Sequence, residues 1–229
     1  IKSTYSVQKK NVIAFSEHLS FFVMTDFDRK KHWETIYKTR QLEEVSWYQP
    51  NPETSLSFIS AFNVPKTASI IDVRGGDSFL VDHLLGLGYT NLTVLDISEA
   101  SLERAKQRLG AHAKFVTWIT ADVTQFKTDK KYDLWHDRAA FHFLTKEGEI
   151  ANYLRTVQRC LTPKGIFVVG TFSEKGPTTC SGINIKQYSE QSMTERLSRS
   201  FEKIKCVSVD HKTPSDKTQN FVFCSFKKQ

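Results

Sequence analysis

The chain has 229 residues, of which 39% are hydrophobic and 25% charged, with a formal net charge of +7 at pH 7. That size and balance suit one globular domain with a full hydrophobic core and leave two independent domains cramped. No run of about 18 apolar residues occurs, which excludes a membrane-spanning helix, and the apolar run at 21–24 is too short for a signal-peptide core.

The lysines and arginines are scattered and mostly interleaved with acids, apart from the basic run at 29–31 and the lysine-rich C-terminal third. The charge therefore reads as a solvated basic surface rather than a nucleic-acid groove. Cys160, Cys180, Cys206 and Cys224 form no CxxC pair and lack the density of a small secreted scaffold. They point to a reducing, cytoplasmic setting.

In chain order, residues 1–23 read as an N-terminal extension, because the first sturdy pattern appears only after Met24. An aromatic-rich helix is expected at 28–40 and a second at 52–62, separated by Pro50 and Pro52 with Asn51 as a candidate cap. Together they form a helical lid over 24–64, ahead of a core over 65–229.

From Ser69 onward, apolar strand-like runs alternate with amphipathic segments, the pattern of a parallel sheet covered by helices on both faces. SIIDV is the first strand, VDHLLGLG a helix ending at Gly86 or Gly88, and NLTVLDIS the second strand. A helix capped by Ser98 and closed at Gly110 follows, with Leu102, Ala105 and Leu109 on one face at spacings of three and four. KFVTWITADV and YDLWHDRAAF supply strands three and four. GEIANYLRTVQRCL then reads as a helix with Ile150, Tyr153 or Leu154, Val157 and Leu161 inward, stopped by Pro163 and Gly165 before strand five, GIFVVGTF. The last two runs, FEKIKCVSVD and TQNFVFCSFKK, are expected to pair as an antiparallel hairpin through HKTPSDK.

In an open sheet of this kind the ligand sits outside the carboxyl ends of the strands, where strand order reverses. The first strand-to-helix turn here is DVRGGDS, in which Asp72, Arg74, Gly75 and Gly76 are candidate ligand residues. The two glycines offer bare backbone, and the following helix offers free N–H groups. Strand two ends at Asp96 and Ile97, where a carboxylate suits two ribose hydroxyls. Strand three ends at Asp122 and Val123, an acid for an adenine amino group beside an apolar wall for its ring. A dinucleotide fold would want GxGxxG, which this turn lacks, so S-adenosylmethionine is preferred over NAD.

The motifs IIDVRGGDS, VLDIS, ADV, YDLWHDRAAFHFL and LTPKGIFVVGTF resemble those of the class I S-adenosylmethionine-dependent methyltransferases, from about Trp33 to Phe226. The segments HWETIY, WYQ and WHDRAAFHFL are similar to the thiopurine S-methyltransferase-like branch. The resemblance implies a Rossmann-like, doubly wound, mostly parallel seven-stranded sheet with a terminal antiparallel β-hairpin and an N-terminal helical lid. It also implies an aromatic segment, Trp33, Tyr37 and Trp47, closing over the S-adenosyl-L-methionine donor. Asp96 stands where that branch often has Glu, and the first loop lacks that branch's cysteine, so its thiopurine acceptor is not carried over.

WHDRAAFHFL, just after strand four, lies where the activated methyl should point. Asp137 and Arg138 are expected to shape the acceptor side, with Arg138 holding an anionic or polar group and His136 or His142 a candidate proton acceptor. The competing reading has Asp137 and Arg138 paired to hold the loop and both histidines packed between aromatics. Arg74 removes one glycine from the loop. It costs most if its φ is positive, and its guanidinium either reaches the methionine carboxylate or turns away. No metal-ligand spacing, HExxH, GxSxG or P-loop is visible. The expected partner is a small-molecule methyl acceptor, with neither membrane nor nucleic acid involved. The rival functions are a protein lysine or terminal-amine methyltransferase and a non-catalytic cofactor-binding scaffold.

Overall fold

The computed structural model describes residues 27–229. The expected extension at 1–23 and its boundary at Met24 lie outside the described residues. Seven strands form one sheet: β1 (Ser69–Val73), β2 (Asn91–Asp96), β3 (Val116–Thr120), β4 (Tyr132–Arg138) and β5 (Leu161–Phe172), with the long β8 (Phe201–Lys212) and β9 (Thr218–Lys228). A two-residue hairpin, β6 (Thr179–Cys180) and β7 (Ile183–Asn184), stands apart from it. The sheet order is β3-β2-β1-β4-β5-β9-β8. The first five strands run parallel, β9 runs antiparallel to β5, and β8 antiparallel to β9. Strand order reverses between β1 and β4, so their carboxyl ends open the crevice in which such sheets bind ligands.

Every residue of β1 is buried, as expected for a strand covered on both faces. Its alternation divides the core. Ile70 faces a cluster with Leu80, Leu84, Leu92, Leu102 and Leu134. Ile71 and Val73 face the opposite cluster with Trp135, Tyr153, Phe167 and Phe226. The helices that cover these faces are α3 (Leu80–Gly86), α4 (Glu99–Leu109), α5 (Glu147–Cys160) and α6 (Glu190–Leu197).

Two helices precede the sheet, α1 (Arg29–Thr39) and α2 (Glu53–Ala61). Asn51 does not cap α2, since its side-chain amide donates to Glu53 and the cap position is Pro52. α1 is fastened across the strand ends by polar contacts that start at the cap of α4. The Ser98 hydroxyl accepts from Ser101 N–H at 3.3 Å and donates to Glu34 Oε2 at 2.7 Å. Arg104 adds a bond from Nη1 to the Tyr37 carbonyl at 2.9 Å.

α5 stops at Cys160 and β5 begins at once, so Leu161 is a strand residue rather than the last apolar position of the helix. Leu161 pairs with Tyr132 and the next partner, Leu134, faces Ile166. Residues 162–165 therefore loop out of the ladder, with Lys164 at φ 63°. Pro163, which has no N–H to donate, fits that bulge rather than a helix stop.

The reading of all four cysteines as thiols is corrected at one pair. Cys206 and Cys224 lie directly opposite one another on β8 and β9 and form a disulfide, while Cys160 and Cys180 are free. The crosslink spans a sequence separation of 18. Chain-entropy reasoning gives it about 3 kcal/mol of stabilisation. We expect peptide mapping without reductant to recover the linked pair. Urea denaturation of Cys206→Ser/Cys224→Ser should show a loss of about 2–3 kcal/mol.

Candidate functional site

The site begins where two neighbouring strands end. Arg74 follows β1 with φ 62° and Ala139 follows β4 with φ 74°. Both residues carry a β-carbon in the left-handed region, which costs on the order of 1–2 kcal/mol each. For Arg74 the surroundings offset the cost. Its N–H donates to the Leu95 carbonyl at 2.6 Å, and its Nη1 donates to the Ala139 carbonyl at 2.7 Å. The guanidinium carbon lies 3.7 Å from the Trp33 ring centroid and 4.1 Å from that of Phe143. Each such stack contributes about 0.5–2 kcal/mol.

The two glycines of the loop serve packing rather than an unusual backbone, since neither has a positive φ. A β-carbon on Gly75 would fall 2.3 Å from Asp72 Oδ2, and one on Gly76 would fall 2.0 Å from Ser101 Oγ. Neither glycine lines a cavity. They let the loop sit tightly on Asp72 and α4 behind the site.

Two cavities meet at Arg74. The smaller encloses about 400 Å³ and takes Trp33, Asp96, Ile97, Asp122, Val123 and Leu144 into its lining. The larger encloses about 720 Å³ and includes Tyr37, Trp47, Asp72, Asp77, Arg138 and His142. Arg74 and Phe143 line both, so this stacked pair is the partition between them.

The smaller cavity is mostly apolar, with carboxylates at the strand ends. Asp96 is buried, and its oxygens accept from Ser98 N–H at 2.9 Å and Gly76 N–H at 3.2 Å. Burial raises its pKa, partly offset by those bonds. Asp122 Oδ1 accepts from Thr124 N–H at 2.8 Å, and its other oxygen lies 3.7 Å from Arg29.

In the larger cavity Asp72 is held from behind. His136 Nδ1 is 2.7 Å from Asp72 Oδ1, and His136 Nε2 is 2.9 Å from Ser55 Oγ. Asp72 Oδ2 has no hydrogen-bond partner. Asp77, buried in the same wall, has a pKa raised by burial against the pull of Arg104 at 3.4 Å and Arg108 at 3.8 Å. Sequence reasoning missed Asp77, although it lies in the quoted loop. It also missed Phe143, Phe172 and Phe221, which reach the cavities from segments far apart in the chain.

Asp137 is a correction. It lines neither cavity and is fully buried on the α5 side. Its carboxylate accepts from Ala140 N–H at 2.7 Å, Phe141 N–H at 3.3 Å and the Tyr153 hydroxyl. Nor does it pair with Arg138, whose Nη1 donates to the Trp47 carbonyl at 3.2 Å. Asp137 thus shapes the turn after β4 from beneath, while Arg138, the next residue, faces the cavity.

His142 does line the larger cavity, fully buried. Its Nδ1 accepts from Phe172 N–H at 3.2 Å, which puts the ring proton on Nε2. Burial, reinforced by Arg74 and Arg138, drives its pKa well below the usual histidine range. His142 is therefore a neutral donor, and the expectation that it accepts a proton is corrected.

Comparison with known proteins finds methyltransferases similar to parts of the chain. Residues 70–165 match the family described as a methyltransferase domain. The chain is 26% identical over 142 residues to the eEF1A lysine and N-terminal methyltransferase of Mus musculus, covering 61% of this chain and 20% of that protein. It is 35% identical over 79 residues to the malonyl-[acyl-carrier protein] O-methyltransferase of Anoxybacillus flavithermus, covering 34% of this chain and 29% of that one. The chain thus spans well under two thirds of either relative. The solved 1,6-didemethyltoxoflavin-N1-methyltransferase of Burkholderia thailandensis, with S-adenosylhomocysteine bound, superposes with a TM-score of 0.70 at 17% identity over 87% of each chain. Residues 70–165 thus match a methyltransferase domain, and the chain as a whole shares the Rossmann-like α/β fold of the solved structure.

The buried Asp137 has a pKa pushed up to about 6, chiefly by burial. A folded-state value above the unfolded one, about 3.9, means that protonation favours the folded state. This contribution is present below about pH 4 and is lost as pH rises through about 6, by on the order of 3 kcal/mol. Asp137→Asn should remove that part of the slope. Denaturation midpoints of parent and variant, compared from pH 4 to 7, check it.

Proposed function

We propose that this chain transfers a methyl group from S-adenosylmethionine to a small-molecule acceptor, leaving S-adenosylhomocysteine. The observation that carries the reading is the pair of cavities meeting at the β1/β4 reversal, with carboxylates at the ends of β1, β2 and β3. These residues fit the donor. Asp96 would take the ribose hydroxyls, and Asp122 the adenine amino group, with Ile97, Val123 and Leu144 against the ring. The unpartnered Asp72 Oδ2 and the neighbouring Asp77 suit the α-ammonium of the methionine end. When bound, the donor supplies a methyl carbon activated by a sulfonium.

What the chain adds is alignment and exclusion of water. Trp33, Tyr37, Trp47 and Phe143 form one aromatic cluster, with Trp33 5.8 Å from Trp47 and 5.2 Å from Phe143. This supports an N-terminal lid of the thiopurine S-methyltransferase-like kind, without supporting a thiopurine acceptor. Arg74 stands between the donor's two half-sites. Its guanidinium has to leave the Trp33–Phe143 stack for a ligand to run from one cavity into the other. The rings it vacates are suited to a cation.

The names of the mouse relative and of the bacterial O-methyltransferase support protein-bound acceptors as a second reading. The larger cavity weighs against an ammonium acceptor, because its carboxylates, Asp72 and Asp77, lie on the donor side while Arg138 faces the remainder.

Isothermal titration with S-adenosylmethionine tests the donor site. Arg74→Ala should tighten binding about tenfold, equivalent to about 1.4 kcal/mol, and Asp96→Ala should weaken it at least as much. Unchanged affinity for Arg74→Ala would make the arginine a bystander, and a loss would make it a donor ligand. A product assay over thiol, hydroxyl, carboxylate and amine acceptors tests the transfer. Tight donor binding with no product from any of them would support a non-catalytic scaffold instead.

A further inference from the structure

The donor residues account for the β1, β2 and β3 end of the larger cavity, and the opposite end has its own chemistry. There β4, β5 and β9 bring Arg138, His142, Phe172, Gln219 and Phe221 to one wall. The His142 ring stacks on Phe172 with centroids 4.7 Å apart and an interplanar angle of 19°. Its Nδ1 is committed to Phe172 N–H, and its Nε2–H is buried with no hydrogen-bond partner. The Arg138 guanidinium, 5.6 Å from the Phe221 ring centroid, has no carboxylate in ion-pair contact among the described residues. Asp72 acts on it only at longer range. Leaving a buried N–H unmade costs about 1–3 kcal/mol, and a half-buried unpaired guanidinium adds to that. A ligand that accepts from both groups relieves both.

Among the described residues, the same wall lacks a proton acceptor. His142 presents N–H, and burial raises the pKa of the Cys180 thiol and the Tyr37 hydroxyl, so both stay protonated. Asp72 and Asp77 belong to the donor end. An acceptor atom that held a proton at neutral pH would have no group here to take it.

We propose that the acceptor is a flat aromatic anion, carrying a carboxylate or an acidic phenolate, with that oxyanion held by Arg138 and His142 Nε2–H and its ring packed against the wall that Phe172 and Phe221 form together. The inference rests on the methyltransferase reading and narrows it to acceptors that arrive deprotonated. A lone pair on the acceptor oxygen forms the new O–CH3 bond as the carbon–sulfur bond breaks, and that bond's electron pair stays on sulfur. An anion and a sulfonium give a neutral ester or ether and a sulfide, and no proton moves.

The test uses the full 229-residue chain saturated with S-adenosylhomocysteine, whose own binding is titrated first. The probes are 2-naphthoate, 2-naphthamide and 2-naphthylmethylammonium, alike in ring and different in charge, and the readout is dissociation constants by calorimetry. Naphthoate should bind at least tenfold more tightly than either of the others. Arg138→Met should abolish that preference with S-adenosylhomocysteine affinity unchanged, and His142→Gln, which keeps an N–H donor, should retain more of it than His142→Leu. Equal or undetectable binding of all three probes by the parent protein, or a preference for the ammonium, overturns the proposal, and so does a preference that survives Arg138→Met. Failure to bind S-adenosylhomocysteine would instead overturn the donor reading beneath it.

Discussion

One side chain ties the site together. The Arg74 guanidinium is gripped by Trp33 from the lid, by Phe143 from the turn after β4 and by the carbonyl of Ala139. The grip explains how a charged residue with a β-carbon is tolerated at φ 62° where glycine would be free. It also joins three things that are separate in the chain: the seating of α1, the partition between the two cavities and the left-handed backbone after β1. A cation already sits among the rings, so a ligand bearing its own cation competes for that place rather than finding it open.

The rest of the site follows from how a parallel sheet presents its ends. Asp72, Asp96 and Asp122 come from three segments far apart in sequence, but β1, β2 and β3 are adjacent and in register, so their carboxyl ends share one rim. The acids are costly to bury, and each is supported in a different way. Asp96 has two backbone N–H groups, Asp72 has His136, and Asp77 has two arginines at longer range. These supports hold carboxylates still in a partly dry pocket, which gives a ligand fixed acceptors without reorganisation.

Much of this was legible in the residues themselves. The alternation of apolar runs and amphipathic helices gave the sheet, and the acids at strand ends gave the smaller cavity, because both depend on local pattern plus one topological rule. Asp137 was misread although a signal existed. It lies two positions after Trp135, on the same strand face, and that face packs on α5. Arg138, one step on, points the other way. The disulfide was missed for a related reason. The hairpin closes with Lys212 opposite Thr218, and stepping back in register brings Cys206 opposite Cys224, so the pairing needed the turn's closing residues and not only its composition. The stack of Trp33, Arg74 and Phe143 had no local signature, since it depends on where the lid settles.

Phe221 and Gln219 lie on β9, which pairs antiparallel with β5 and carries the edge strand β8 on its other side. The donor rim is built from the first three strands and the lid, whereas this stretch of wall comes from the last strand of the chain. A hairpin altered in length or sequence would reshape this wall while leaving the rim at the ends of β1, β2 and β3 as it is.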